Sequence, residues 1–443
     1  MTKWSFKDNN LHTGQYLSDD ISLIKILANR PIPELLRSHK NLILIPNFQD
    51  NESLDKSNTV LTTNIDQELE THNIMGFVGM GSDMLTITSR FDQDQPWLLN
   101  YLLKKVLKIN TINLKFGIDN KKSYLDFLPF LFPIYLKRAM SKGLYKEYIN
   151  KEYNDSNVKG IIDVKKHINN NLPFQGKIYY HTREFNFDNP INQLIRHTIE
   201  YINLQYIYKG VLSDHLIKYH VNRIIDITAS FHQSEVFKII RYNRLNPIRN
   251  AYFKEYKELV RLCIQILTKE KISLEEESSN KAWGILFDGS WLWEEYINLL
   301  ADDYYYHPRN RSKSDPQYLF ERNIGLIFPD FISKDENNRK IMDAKYKPSI
   351  NINSSDYHQI LSYLFRFDSN EGLFVYPERS GEATIKELRL KIGIDLYNQR
   401  STTRTSPEVF VKKIAFPIPV CDNEIEFEDN MNRIEIDFVD KVI

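Results

Sequence analysis

The stretch "KIMDAKYKP", Lys340 to Pro348, sets a carboxylate and an ammonium two residues apart, at Asp343 and Lys345. Strand side chains alternate faces, so in an extended run these two point one way and Met342, Ala344 and Tyr346 the other. An Asp and a Lys on one face can hold a divalent cation and polarise a water beside it. The same form recurs at Asp163-Val-Lys165 in "GIIDVKKH". A chain this rich in Asp and Lys holds on the order of two such triplets by chance. The triplet alone does not separate an active site from a solvated strand with an ion pair, so its neighbours decide.

The Asp343 triplet has neighbours that Asp163 lacks. "ILFDGSWLWEEYINLLADDYYY" predicts an amphipathic helix carrying Trp291, Glu294, Glu295 and Leu299. "NIGLIFPDFI" reads as a strand ending in Pro329-Asp330, and the polar turn "SKDENNRK" leads from it into the strand of Asp343. Two strands joined by a short turn bring Asp330 close to Asp343. These carboxylates, with the backbone carbonyl of Ala344, make a hard-oxygen metal site suited to Mg²⁺ (Mn²⁺ as a substitute). "DYHQILSYLFRF" then puts Gln359 and Tyr363 four apart on one helix face. Carboxylates clustered in this way repel one another, so the site is expected to be electrostatically strained without a cation. The ordered set points to metal-assisted phosphodiester hydrolysis.

The elements that position this set belong to a long chain. Its 443 residues allow two or three domains, and 42% hydrophobic with 13% aromatic residues excludes global disorder. With 58 basic and 58 acidic residues, the chain has no bulk basic signature, so any DNA-binding surface is local. Two cysteines, Cys263 and Cys421, argue for a reducing compartment. No signal-peptide core and no bilayer-length apolar run is evident, so a soluble cytoplasmic protein is expected.

Residues 1–120 read as a β-rich domain, with strands such as "NLILIPNF" and "MLTITSRF". "GFVGMG" lacks a following Gly-Lys-Ser/Thr, so its glycines are assigned to a strand end or bulge. There is no Walker A motif, and any nucleotide-driven motor must be another polypeptide. Residues 121–270 read as mainly helical, a partner- or DNA-contacting region. Pro129 and Pro133 bracket one apolar stretch, and Asp188 or Asn189 caps a helix that begins at Pro190. Arg241, Arg244 and Arg249 cluster on what reads as a solvated face, with a DNA or partner surface as the alternative. "KEKISLEEESSN", Lys269 to Asn280, is the expected linker. Residues 281–443 then form the domain that holds the chemistry, and the terminal "CDNEIEFEDNMNRIEIDFVDKVI" reads as strands with one solvated face.

In its order of helix Glu, Pro-Asp, Asp-x-Lys and Gln-x-x-x-Tyr, the chain resembles the PD-(D/E)xK nucleases. More narrowly it resembles McrC, the nuclease subunit of McrBC-type restriction systems, and especially the LlaJI-type relatives. The carrying stretches are "ILFDGSWLWEEYI", "FPDFI", "IMDAKYKP" and "DYHQILSYLFRF", joined by "GFVGMGSDMLTITSRFD" and the stretch from Val158 to Ile195 in the N-terminal half. The family pattern at the helix matches Glu294, with Glu295 as the runner-up. The resemblance implies a mixed α/β fold with a C-terminal PD-(D/E)xK domain, its central mixed sheet flanked by helices. It implies a phage-restriction endonuclease that hydrolyses double-stranded DNA with Mg²⁺. A separate McrB-like AAA+ partner would bind and hydrolyse GTP, stimulated by the N-terminal part of this chain. In that scheme Asp330, Asp343 and Ala344 hold the metal, with Glu294 direct or through water. Lys345 orients or deprotonates the attacking water, and Gln359 steadies the site. A stand-alone Mg²⁺ nuclease acting on DNA ends and a non-catalytic regulatory subunit remain the rival readings.

Overall fold

The computed structural model describes residues 3–13, 22–39, 41–46, 59–64, 68–81, 83–93, 95–107, 120–268, 282–308, 316–379, 384–393 and 404–442. The expected linker at 269–280 lies outside them. The fold is mixed α/β, and the chain forms two compact units: residues 1–121 together with 276–443, and residues 122–275.

In the first unit a five-stranded sheet runs in the order Lys3–Lys7, Asp83–Thr88, Ile74–Met80, Trp283–Asp288, Asn41–Ile45. Trp283–Asp288 is buried along its whole length. A strand apolar on both faces needs an interior slot, and this one lies antiparallel to Ile74–Met80 and parallel to Asn41–Ile45. The segment expected to open an independent 281–443 domain therefore completes the N-terminal sheet instead. The glycines of "GFVGMG" serve that pairing. Gly76 has φ +127°, and a Cβ there would lie 2.1 Å from Ile285 O, while the Trp283 ring covers Gly79. They permit close strand approach. The core of this half includes Leu23, Leu27, Leu35, Leu44, Val78, Leu85 and Leu286.

The second sheet of this unit has the order Tyr305–Tyr306, Phe331–Ser333, Lys340–Ala344, Glu371–Glu378, Arg404–Pro417, Ile385–Ile392. Phe331–Ser333 pairs antiparallel with Lys340–Ala344, as adjacent strands joined by a polar turn do. Lys340–Ala344 is parallel to Glu371–Glu378, and a parallel pair requires a crossover. The helix Ser354–Arg366 makes it. Asn353 and Asp356 close its first turn as a capping box, and it buries Ile360, Tyr363 and Leu364 against Ile341, Phe374 and Val411.

Two expectations are corrected here. Ile324–Ile327 does not run on to Pro329-Asp330; it forms a separate ladder with Gln317–Phe320, and Asp330 directly precedes Phe331–Ser333. The C-terminal stretch is a helix, Glu424–Val442, not strands. Its buried residues Phe427, Met431, Phe438 and Val442 fall on one helical stripe, whereas Ile425 and Ile436, which suggested alternation, are exposed.

The second unit holds a sheet of Glu147–Asp155, Ile178–Asn186 and Ile161–Ile162, and helices that pack on Pro190–Leu204. Pro129 and Pro133 lie inside the helix Asn120–Met140, where they were expected to bracket one. Asn189 caps Pro190–Leu204 through the amides of Ile191 and Asn192. Asp163 caps Val164–Asn171 by accepting from Lys166 N at 3.0 Å. Arg241, Arg244 and Arg249 are all exposed.

Candidate active site

The antiparallel register Phe331↔Met342 carries on to set Asp330 opposite Asp343. Asp330 is held there by two backbone contacts. Its Oδ2 accepts from Ala344 N at 3.0 Å, and its carbonyl lies 2.8 Å from His307 Nδ1. Asp343, in the central strand, is only 2% exposed. Its Oδ2 sits 2.8 Å from Lys345 Nζ, an ion pair in which the oxygen completes no aligned hydrogen bond.

Lys345 follows the last residue of the strand, on the same face as Asp343. Its ammonium also lies 3.4 Å from Asp356 Oδ1 and donates to Gln359 Oε1 at 3.1 Å. Gln359 Nε2 in turn donates to Tyr363 OH at 2.7 Å. The four-residue spacing on the Ser354–Arg366 helix thus builds a relay from Lys345 to a buried phenol. Burial, opposed by the Gln359 bond, pushes the Tyr363 phenol up to about 12, so it keeps its proton.

Glu294 and Glu295 diverge on the helix Gly289–Ala301. Glu295 accepts from Trp291 Nε1 at 3.1 Å. Glu294 Oε1 lies 3.7 Å from His307 Nε2, and its charge acts on Asp330. Of the two, Glu294 belongs to the carboxylate group. His307 bridges it to the Asp330 backbone and stacks on Phe331, ring centroids 4.9 Å apart.

The electrostatics follow from this crowding. Desolvation first, then the charges of Asp343 and Glu294, hold the Asp330 carboxyl well above its ordinary range. Burial works against the Lys345 ammonium, but Asp343, Asp330 and Asp356 outweigh it and raise its pKa, so the ammonium is retained. Asp356 is opposed by burial yet held below the usual carboxylate range by Lys347, 2.6 Å away. The expectation of a strained carboxylate set matches this pattern.

Among the described residues no three His, Cys, Asp or Glu side chains converge as a preformed metal cage. The pair Asp330–Asp343 nevertheless offers hard oxygens, one of them Asp343 Oδ2, buried and ion-paired with Lys345 but without an aligned hydrogen bond. Mg²⁺ commonly binds through one or two carboxylates and completes its shell with water and substrate phosphate. The donor set fits that ion.

Two residues of the site were not anticipated from the sequence. Asp356 follows Asn353 by three, a helix-start pattern, and its second role as a partner of Lys345 and Lys347 appears only in three dimensions. His307 stands in "YYYHPRN" with no local signal. Asp163, by contrast, is committed to capping a helix in the other unit.

Among known proteins, solved structures from Thermococcus gammatolerans are similar over much of the chain. A refined half-complex of McrB AAA+ hexamers with bound McrC matches at 13% identity and TM-score 0.44, covering 98% of this chain and all of that one. A McrBC complex matches at 13% identity and TM-score 0.29, covering 68% and 87%. No curated protein matches. Residues 69–377 match the family model of the McrBC 5-methylcytosine restriction system component. That span takes in the Ile74–Met80, Asp83–Thr88 and Trp283–Asp288 strands of the N-terminal sheet and the Glu294–Tyr363 constellation, and the chain belongs to this McrBC family.

Proposed function

We propose that this chain is the McrC-like endonuclease subunit of a GTP-dependent restriction system. It would act in the cytoplasm on double-stranded DNA, beside a separate McrB-like AAA+ GTPase that it stimulates. The observation that carries the reading is the Asp330–Asp343 pair with Lys345 between Asp343 and the Gln359–Tyr363 relay. This is the arrangement expected of the PD-(D/E)xK nuclease set. Family membership supports the restriction context.

Asp330, Asp343 and the Ala344 carbonyl would hold Mg²⁺, with Mn²⁺ as a substitute. When bound, the ion would polarise the scissile phosphate and lower the pKa of the attacking water. Asp330 is oriented for this by Ala344 N, and Glu294 supports the set through His307. Lys345, retained as an ammonium, orients the water and offsets charge that develops on the phosphate. Gln359 fixes the Lys345 head group, and Tyr363 fixes Gln359. Burial first, then the charges of Asp343 and Glu294, disfavours the Asp330 carboxylate, and a cation held by Asp330 and Asp343 would offset both.

The test is DNA cleavage by the purified chain together with its GTPase partner, GTP and Mg²⁺. Asp343→Ala is expected to abolish cutting while GTPase stimulation persists, and excess EDTA to stop the wild type. Full cleavage by Asp343→Ala would remove the assigned site.

A further inference from the structure

The strand that carries the proposed site leaves the sheet at Tyr346, and this residue is gripped by the N-terminal half of the same unit. Arg90 Nη2 donates to the Tyr346 carbonyl at 2.7 Å, and its guanidinium lies 4.8 Å from the Tyr346 ring centroid. The Tyr346 hydroxyl shares a 2.7 Å hydrogen bond with Ser89 Oγ and donates toward Met75 Sδ at 3.3 Å. Phe91 meets the ring edge-on at 5.3 Å. Ser89 is 0% exposed and Tyr346 3%, and Arg90 reaches them from a half-buried position.

Resting on the function proposed above, we propose that Arg90 is a positioning residue for the cleavage site, setting the orientation of Lys345 from the N-terminal sheet. The backbone gives the reason. Lys345 N donates to Val375 O at 2.8 Å, and Lys347 N closes a tight turn onto Lys345 O at 2.8 Å. Lys345 is thus anchored to the sheet on one side and to Tyr346, the centre of that turn, on the other. Arg90 holds that centre by both carbonyl and ring.

Arg90 is itself held in register. It lies 3.5 Å from Asp8 Oδ2 and donates to Asn73 Oδ1 at 2.7 Å. The Asn73 carbonyl accepts from Gly289 N at 2.8 Å, at the start of the helix that carries Glu294. Gly289 has no room for a side chain, since a Cβ would lie 2.7 Å from the Tyr346 ring. One loop residue therefore references both the Lys345 turn and the Glu294 helix to the same guanidinium. Both bonds leave one nitrogen, Nη2, whose two N–H directions are fixed in the guanidinium plane that also stacks on the Tyr346 ring. An ammonium is a freely rotating point charge without that plane. A buried apolar side chain would fill the space without fixing either direction.

The experiment uses the full chain with its GTPase partner and compares Arg90→Lys, Arg90→Ala, Tyr346→Phe and Asp343→Ala. Thermal stability, GTPase stimulation, and kcat and KM for DNA cleavage at saturating Mg²⁺ are measured for each. Arg90→Lys keeps the charge beside Asp8 but loses the planar group that fixes the Nη2 bond directions and stacks on Tyr346. It is expected to hold melting temperature and GTPase stimulation near wild type while kcat falls about 10- to 100-fold with KM unchanged, the scale of loss that a misplacement of roughly 1 Å produces. Tyr346→Phe, which keeps the ring and carbonyl, is expected to lose much less. Arg90→Lys cutting at the wild-type rate overturns the positioning role. So does a parallel loss of stability, GTPase stimulation and cleavage, which would mark Arg90 as scaffold only. An active Asp343→Ala overturns the proposed function itself and the positioning role with it, whereas an active Arg90→Lys beside an inactive Asp343→Ala overturns only the latter.

Discussion

Glu294 and Glu295 are adjacent in sequence and opposite in circumstance. Glu294 Oε1 lies 3.7 Å from His307, whereas Glu295 is bound by the Trp291 indole of its own helix. Glu294→Gln is expected to lower cleavage by about 10²-fold, the cost of a lost electrostatic group in such sites, and Glu295→Gln to stay within about twofold of wild type by the same reasoning. His307→Ala is expected to fall between them, because it removes the bridge and leaves both carboxylates. The ranking is read from single-turnover cleavage, and its reversal would exchange the two glutamates. Lys345 and Lys165 form a second contrast. Lys345→Ala is expected to be inactive. Asp163→Ala, beside Lys165, is expected to cut normally and cost about 1 kcal/mol of local stability, the worth of an N-cap, since Asp163 caps Val164–Asn171.

At the scale of elements, the loop that ends the Asp83–Thr88 strand is built on a buried acid. Asp92 receives Leu98 N at 2.6 Å and Ser89 N at 3.2 Å, so it ties the helix Trp97–Leu107 to the loop that carries Arg90. Desolvation outweighs these bonds and pushes its carboxyl up to about 7; Asp8 is pushed up to about 6 by the same cause, with Arg90 opposing. The unfolded chain loses these protons near pH 3.8, whereas the folded protein keeps them to about 6 at Asp8 and about 7 at Asp92. Between those limits the native state binds more protons, so stability falls as pH rises and levels off above the folded value. Asp92 contributes on the order of 2–4 kcal/mol to that fall. Asp92→Asn is expected to flatten the slope, as denaturant midpoints at pH 4.5 and pH 7.5 would show. A slope equal to the wild type's would place the buried charge elsewhere.

For the whole molecule, one expectation concerns the ion and one the chain. Mg²⁺ or Mn²⁺ is expected to raise the melting temperature of the wild type and to leave Asp343→Ala unmoved, because binding to the folded state alone stabilises it. Ca²⁺ is expected to stabilise without supporting turnover, since its longer, looser shell places the water poorly. Cleavage in Ca²⁺ equal to that in Mg²⁺ would contradict this. Truncation tests the unit of folding. A fragment starting at residue 281 takes Trp283–Asp288 away from Ile74–Met80 and Asn41–Ile45, leaving an apolar strand and two open edges. Both this fragment and its 1–270 complement are expected to aggregate. Well-dispersed NMR spectra from either alone would show that the shared sheet is dispensable. Among the described residues no helix is long and apolar enough to cross a membrane.

Residue chemistry with short-range geometry was legible without coordinates. Asp343 and Lys345 share a face because strands have period 2, Gln359 and Tyr363 meet because helices have period 3.6, and Asp330 meets Asp343 because a short turn joins their strands. Each relation spans fewer than about twenty residues, where backbone periodicity alone sets direction. What lay beyond that range needed the fold. The clamp of Arg90 on Tyr346 joins residues 256 apart, and the Trp283–Asp288 strand finds its partners more than 200 residues earlier; no local pattern encodes such pairings. His307 carries no periodic or motif signal, since its role is set by the elements that surround it. The helix Glu424–Val442 shows the same limit from the other side. Its sequence supports both alternation and a helical stripe, and the choice fell to packing. Glu435 accepts hydrogen bonds from Tyr101 at 2.7 Å and from Tyr296 at 2.9 Å, and Phe427, Met431 and Phe438 are buried only when the stretch coils. Tertiary burial overrides local pattern where the pattern is ambiguous, because the free energy of removing a whole apolar face from water exceeds the small propensity differences along a chain.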